Sequence, residues 1–122
     1  MGVSGGGRVY LSGPSREAIQ LEEVLHALSE PVRLQVVRQL AAAGGPMACG
    51  TFGLPVTKST ASHHYRVLRE AGITRGWDVG TQRLNELRRD DLDARFPGLL
   101  EIVVRAGMEP TPLSQVDARR GR

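Results

Sequence analysis

The sequence predicts a mainly α-helical domain with one small β-hairpin near its C-terminal end. Apolar residues recur at helical spacing through residues 17–70, and glycine or proline breakers divide this stretch into separate helices. After Gly72 the pattern changes to two short strand-like segments that flank a glycine-containing loop. The chain has 122 residues, of which 40% are hydrophobic, so it has the size of one domain and enough apolar side chains for a core.

Local start and stop signals define the predicted elements. They are, in chain order, helices over 17–28, 31–43, 47–54 and 58–70, strands over 73–77 and 82–87, and a last helical stretch over 90–104 that is interrupted at Pro97-Gly98. For the second helix, Ser29 or Glu30 can cap the start, Pro31 suits the first turn, and residues 43–46 (AGGP) are a strong stop. For the fourth, Thr57 is a good N-cap and Gly72 is a good C-cap. Gly50 and Gly53 weaken the short third helix, which we expect to be held by packing more than by propensity.

The two ends of the chain differ in composition from the middle. Residues 1–15 are rich in glycine and serine, and residues 107–122 mix proline, glycine and charge, which predicts flexible tails on either side of a folded domain over 16–106. We find neither a membrane-length apolar run nor a secretory signal pattern. The single Cys49 cannot form an intramolecular disulfide, so we expect a cytoplasmic protein without a membrane partner.

Positive charge is concentrated in one segment. The formal net charge is +3, and residues 56–76 contain four basic residues and one acidic residue, so the rest of the chain carries 12 of each sign. The entire excess therefore lies in one stretch, as expected for an element that faces phosphates. Other charged residues are expected on solvated faces, and the periodicity of the second helix places Arg33 and Arg38 on its exposed side.

The helix over 58–70 has one apolar and one polar face. At about 100° per residue, its apolar arc contains Ala61, Tyr65 and Leu68. Its opposite face carries hydroxyl, imidazole and guanidinium groups, which can bond to base edges and phosphates, from Ser59, Ser62, His63 and Arg66, with Lys58 at the N-terminal end. An ordinary solvated face is the alternative interpretation. A short helix before and a hairpin after it give the order of a winged helix-turn-helix, with a recognition helix followed by a wing.

Two segments resemble the ArsR family of bacterial winged helix-turn-helix regulators. Residues 27–34 (ALSEPVRL) are similar to the start of a helix in that family, and residues 58–73 (KSTASHHYRVLREAGI) are similar to its recognition helix and the lead into its wing. The resemblance covers roughly residues 17–106. It implies that the protein is a dimeric winged helix. Most members of the family repress transcription until an inducer releases them from DNA.

The resemblance also implies which residues contact DNA. On the recognition helix, the residues expected to face the major groove are Lys58, Ser59, Thr60, Ser62, His63 and Arg66. Around the hairpin, the residues expected to meet the flanking backbone or minor groove are Arg75, Thr81, Gln82 and Arg83. Two further positions stay open: His64 either packs under the helix or touches a phosphate, and Trp77 either packs at the base of the wing or is exposed.

The last helix is apolar over an arc that one small domain can rarely cover, which predicts a homodimer. The expected interface residues, on the first and last helices, are Leu21, Val24, Leu25, Phe96, Leu99, Leu100 and Val103. Two recognition helices about 34–36 Å apart would then read a roughly palindromic operator in double-stranded DNA.

We expect no metal, cofactor or catalytic site. The region of Cys49 lacks a Cys-x-Cys thiolate pair, and the last helix contains no histidine, so neither metal-ligand set of the ArsR relatives is complete. Neither a phosphate-binding glycine loop nor a recognisable set of nucleophile, base and orienting group is present, so we expect no enzyme activity. Cys49 itself is either an inert buried thiol or a redox-sensing thiol with a lowered pKa.

These observations favour a sequence-specific DNA-binding transcription regulator, a repressor, that uses the recognition helix over 58–70 and the wing over 73–87. The alternative is a winged-helix module that binds other proteins and lacks specific DNA binding. A basic rim with small hydroxyls between its charges favours the first interpretation. A small-molecule effector is compatible with both, but the sequence shows no pocket from which its chemistry could be named.

Overall fold

The computed structural model describes residues 8–108, which form a set of helices and one three-stranded sheet. In chain order the elements are a 3-10 turn at Arg16–Ala18, α1 (Leu21–Leu28), α2 (Pro31–Ala43), β1 (Met47–Ala48), a 3-10 turn at Cys49–Thr51, α3 (Lys58–Glu70), β2 (Thr74–Val79), β3 (Gln82–Leu87), α4 (Arg89–Arg95) and α5 (Leu99–Met108). Within this part of the chain, no helix is long and apolar enough to cross a membrane.

The boundaries of α2 confirm the predicted start and stop signals. Glu30 is the N-cap, and its Oε1 accepts hydrogen bonds from the backbone N–H groups of Val32 at 2.7 Å and Arg33 at 3.0 Å. Pro31 occupies the first turn, where its missing N–H costs nothing. The helix ends at Gly44, whose φ of 72° is left-handed and suits glycine.

The predicted helix over 47–54 is wrong. Met47 and Ala48 instead form the short strand β1, which pairs antiparallel with Asn85 and Leu84 of β3, and a 3-10 turn follows. The glycines in this segment disfavour a helix, and pairing with β3 satisfies backbone groups that a short helix would have left to solvent. The first helix of the helix-turn-helix is thus reduced to a single 3-10 turn.

The hairpin is longer than the sequence predicts. The strand order of the sheet is β1-β3-β2, and the last hairpin pairs are Asp78 with Arg83 and Val79 with Gln82. The connecting turn is therefore only Gly80-Thr81 rather than residues 78–81, and Gly80 adopts a φ of 61°. A two-residue turn with a left-handed glycine fits the twist of a hairpin, so the strands extend to its tip.

The core is formed by α1, α2, α3, the start of the hairpin and the last two helices. Its most completely buried apolar side chains are Ile19, Val24, Ala27, Val36, Val37, Leu68 and Ile73. Val24 and Leu100, which the sequence analysis places in a dimer interface, are 1% and 3% exposed within the protomer. That assignment is corrected for these two residues, because one face of each short helix is already used to complete the protomer core.

The described part of the N-terminal segment lies against the wing and not free in solvent, in contrast to the expected tail over 1–15. The backbone N–H of Leu11 donates to the carbonyl of Gly76 at 2.7 Å, and Tyr10 forms a β-bridge with Trp77. The Tyr10 ring also meets the Trp77 ring edge-on at 5.6 Å. Trp77 is therefore buried, beneath the N-terminal segment and in the middle of the hairpin rather than at the base of the wing, which answers the question that the sequence left open. At the other end, α5 continues to Met108, and residues 109–122 of the predicted C-terminal tail lie outside the described residues.

Candidate nucleic-acid interface

A concave surface lies between the outer face of α3 and the hairpin, and the open space that it encloses has a volume of about 910 Å³. It brings together eight of the ten residues that the sequence analysis assigns to DNA contact: Lys58, Ser59, Ser62, His63, Arg66, Thr81, Gln82 and Arg83. All eight are exposed. We call this concave surface the groove between α3 and the wing.

The polar outer face of α3 exists because its opposite face is used by the core. Tyr65 and Leu68 are buried, as the apolar arc predicts, and Ala61 packs against the core from its edge. Thr57 caps the helix as predicted, with its Oγ1 accepting a hydrogen bond from the Thr60 backbone N–H at 3.2 Å. The other backbone N–H groups of the first turn are not capped by any residue that the structure describes. Together with Lys58 they favour an anion at the start of α3.

Thr60 and Arg75 are not part of this groove. The Thr60 hydroxyl accepts a hydrogen bond from the Thr57 hydroxyl at 3.0 Å, so it belongs to the cap. Arg75 is half-buried on the other side of the hairpin, with its guanidinium 3.7 Å from Glu86 and 4.0 Å from Asp91. The strand register explains this position. Arg75 pairs with Glu86 and Arg83 pairs with Asp78, and because side chains alternate along a strand, these two pairs point to opposite faces of the hairpin.

His64 packs under α3 and does not reach the groove. It is 7% exposed, and its Nδ1 lies 3.2 Å from Nη1 of Arg33, which is equally buried. Because a guanidinium only donates, Nδ1 of His64 accepts this hydrogen bond. The Nε of Arg33 donates to the Ala27 carbonyl at 2.7 Å, so this buried charge joins the recognition helix to the connection between α1 and α2.

The expectation that Arg33 is exposed is therefore wrong. The sequence contained a signal that could have corrected it: Arg33 precedes Val36, Val37 and Leu40 by three, four and seven positions, so it begins the buried stripe of α2. An arginine at such a position is tolerated only when its donors are satisfied, and here Ala27 and His64 satisfy two of them.

Besides the eight predicted contacts, two charged residues line the groove that were not predicted from the sequence, Arg69 and Asp78. The Asp78 carboxylate accepts two hydrogen bonds from Arg83, at 2.7 Å from Nε and 3.0 Å from Nη2. The hydrogen bond from Arg83 holds the pKa of Asp78 below its usual value, so the carboxylate stays charged at neutral pH. Arg83 of the wing is therefore already paired with a carboxylate in the free protein.

Cys49 lies at the floor of the groove and is held in place by its neighbours. Its Sγ accepts a hydrogen bond from Asn85 Nδ2 at 3.0 Å, and its carbonyl accepts one from the Tyr65 hydroxyl at 2.9 Å. Burial raises the pKa of the Cys49 thiol, and burial together with Cys49 raises the pKa of Tyr65 to about 12. A raised pKa leaves little thiolate at neutral pH, which favours the inert thiol over the redox sensor.

Across residues 8–108 we find no cluster of three or more histidine, cysteine, aspartate or glutamate side chains that could hold a metal ion.

A three-stranded antiparallel sheet, a solvent-facing polar helix and a hairpin beside it define a winged helix-turn-helix domain. Comparison with known proteins agrees with this class. A helix-turn-helix domain family matches residues 28–76, which run from the end of α1 into β2. An uncharacterised HTH-type transcriptional regulator of Bacillus subtilis, YceK, is 36% identical over 81 residues, which cover 65% of this chain and 81% of the relative. The chain belongs to the family of helix-turn-helix transcriptional regulators.

Proposed function

We propose that this protein is a sequence-specific DNA-binding transcription regulator with no catalytic role. The observation that carries the proposal is the groove between α3 and the wing, which collects exposed hydroxyl, imidazole and basic side chains from two elements. Two arginines and a lysine are exposed there against the single carboxylate of Asp78. Family membership supports the same role.

In this proposal α3 enters the major groove of double-stranded DNA. Ser59, Ser62, His63 and Arg66 face base edges, and Lys58 with the start of α3 meets a phosphate. Thr81, Gln82 and Arg83 at the hairpin tip contact the flanking backbone or minor groove. Thr60 and Arg75 are left out of the contact set because neither lies in the groove.

We further propose an ArsR-like repressor. Support comes from the similarity of residues 27–34 and 58–73 to that family, and the two segments are in contact. The first contributes Arg33 and the second contributes His64, which are in hydrogen-bond contact. A repressor of this type would act by occupying its operator.

We also propose that the regulator is a homodimer that reads a roughly palindromic operator. Leu21 and Leu25 on α1 are 42% and 49% exposed, and Ile102 on α5 is 67% exposed. From the interface that the sequence predicts, Phe96, Leu99 and Val103 remain half-buried and can contribute their outer edges. Covering these apolar groups would add burial that a domain of this size needs.

The test of DNA recognition is a fluorescence-polarisation titration. A duplex enriched from a random library by binding to the full chain is compared with a scrambled duplex of the same composition, at low and at moderate salt. We expect the enriched duplex to bind more tightly and both affinities to fall with salt. Failure to enrich or bind any duplex at low salt would favour the protein-interaction module instead.

Arg66→Ala tests the reading face. Because Arg66 lies in the groove and is exposed, its loss should weaken binding to the enriched duplex by about 1–3 kcal/mol. Arg105→Ala is the matched control, since Arg105 is exposed on α5 and pairs with Glu101 outside the groove. Equal affinities for the Arg66 variant and the control would show that the reading face is elsewhere.

A further inference from the structure

A second cavity, of about 200 Å³, lies behind the wing at the C-terminal end of α3. The N-terminal segment, residues 10–14, forms one wall, and α3, β2 and the start of α4 form the others. The segment comes close because Gly13 has no side chain: a Cβ there would lie 3.3 Å from the Arg69 carbonyl oxygen. The cavity adjoins the groove between α3 and the wing, since Arg69 lines both, but none of the proposed DNA contacts lines the cavity.

Positive charge dominates the lining of this cavity. Arg69, Arg75 and Arg88 line it, and Asp91 is the one acidic residue that does so among the residues described. Asp91 is already engaged, because its carboxylate accepts hydrogen bonds from Arg16 at 2.7 Å and from Arg88 at 2.8 Å. Glu86 lies outside the lining but 3.7 Å from the Arg75 guanidinium, so it offsets part of the charge. The two carboxylates still face more guanidinium groups than they can neutralise, those of Arg16, Arg69, Arg75 and Arg88.

Three polar atoms of the lining make no hydrogen bond among the described residues: Arg69 Nε, Thr74 Oγ1 and Arg75 Nε. Arg69 Nε is buried and makes no hydrogen bond to any described residue, and no carboxylate oxygen from residues 8–108 lies within 4.0 Å of that guanidinium. Burial, reinforced by the nearby charges of Arg83 and Arg66, lowers the pKa of Arg69. Thr74 is 2% exposed, and its Oγ1 is likewise unpartnered among the described groups. Buried polar atoms in this condition are costly unless something pairs with them.

We propose that this cavity is a binding site for a small oxyanion, the carboxylate or phosphate group of a small molecule. Guanidinium groups donate to planar or tetrahedral oxyanions in charge-assisted hydrogen bonds, and a hydroxyl adds a further donor. Arg69, Thr74 and Arg75 supply the unpartnered donors, and Glu86 offsets only part of the positive charge. Water would satisfy the unpartnered donors but would not offset the excess of positive charge.

Thermal unfolding and calorimetric titration of the full chain test the proposal without DNA, so its outcome is independent of the proposed function. The probes are inorganic phosphate and succinate, which distinguish the two oxyanion classes, with potassium chloride at matched ionic strength as the reference. Because such anions also stabilise proteins by exclusion from the surface, we expect at least one probe to give a saturable heat of binding, together with a Tm above the chloride reference at low millimolar concentration. Equal Tm values in all three salts would overturn the proposal.

Two variants locate the binding. Arg69→Gln removes a charge-assisted donor and should weaken the affinity for the active probe about tenfold or more. Thr74→Val keeps the shape of the side chain without the hydroxyl, so the protein should stay folded while its affinity falls several-fold. Arg105→Gln, with the same charge change on exposed α5, should bind as the unmodified chain does. Equal weakening in Arg105→Gln and Arg69→Gln, or none in either, would refute the assignment.

Discussion

Arg33 shows how one residue connects the interior of the domain to its binding face. The side chain is 7% exposed, donates to the Ala27 carbonyl at the end of α1, and donates to His64 on α3. Because α3 rests on this contact, the orientation of the recognition helix depends on a residue that lies 31 positions away in the sequence. Its role is positional, since it touches no solvent-facing group of the groove.

Replacing Arg33 with alanine should lower the free energy of unfolding by about 3 kcal/mol, because hydrogen bonds made by a charged group are worth roughly 1.5–3 kcal/mol each and their buried acceptors lose their partners. Urea unfolding followed by circular dichroism measures the change. Arg89→Ala is the control: Arg89 is exposed, and its loss should change stability by no more than about 0.5 kcal/mol. Similar stabilities for the two variants would contradict the positional role.

Asp78 offsets the positive charge of Arg83 on the wing. Its two hydrogen bonds to Arg83 form between exposed side chains, so they contribute little to stability but keep Arg83 occupied in the free protein. A phosphate that contacts Arg83 has to compete with this carboxylate and also meets its negative charge.

Asp78→Asn should therefore raise the affinity for all duplexes and make the salt dependence steeper by about one phosphate contact. Affinity measured as a function of salt concentration gives both quantities. Asp93→Asn makes the same charge change at an exposed position on α4, outside the groove, and serves as the control. If both variants gained affinity equally, net charge and not the release of Arg83 would be responsible.

At the scale of elements, the junction between α3 and β2 sets the angle between recognition helix and wing. Gly72 occupies this junction with a φ of 89°, and a Cβ built there would lie 2.6 Å from Cγ1 of Ile19, which is fully buried. The backbone N–H of Ile73 still bonds to the Leu68 carbonyl at 3.0 Å, so the turn is closed. Only glycine meets both the conformational and the steric requirement.

Gly72→Ala should lower the free energy of unfolding by about 3 kcal/mol, as the sum of the left-handed conformation and the overpacking against Ile19. Gly50→Ala is a matched control, because a Cβ at Gly50 meets nothing within 4 Å and its φ is not left-handed. Thermal unfolding of the two variants checks the difference. A Gly72 variant as stable as the control would mean that the α3–β2 junction can relax.

Sequence periodicity and capping predict most elements because those signals are local. Glu30, Thr57 and Gly72 mark helix ends from within a few residues of each end. The strand β1 could not be found in this way, because Met47 pairs with Asn85 and the partner strand lies far along the chain. The same reason accounts for Arg75, whose position was decided by the register of the hairpin and by acidic groups on β3 and α4.

For the whole molecule, the distribution of exposed apolar side chains bears on assembly. The core uses Val24 and Leu100, and this leaves Leu21, Leu25 and Ile102 on the outer sides of α1 and α5. Both helices pack on α2, so an interface formed by them would place the two grooves at a fixed separation. A fixed separation is what a palindromic operator requires of a dimer.

Ile102→Glu should shift the proposed homodimer toward monomer, because a carboxylate would have to be buried against apolar groups. Sedimentation equilibrium or light scattering at micromolar concentration measures the mass. Val79→Glu is the control, since Val79 is similarly exposed but lies at the tip of the wing. A monomeric mass for the unmodified chain would contradict the dimer itself.

Trp77 gives this protein a built-in optical reporter. It is the single tryptophan of the chain, it is buried in the middle of the hairpin, and the guanidinium of Arg8 lies 4.0 Å from the centre of its ring. Indole emission responds to the polarity and charge around the ring. Any displacement of the N-terminal segment or bending of the hairpin therefore changes the wavelength and intensity of the Trp77 emission. Events at the wing can consequently be followed in real time by stopped-flow fluorescence, with no attached dye.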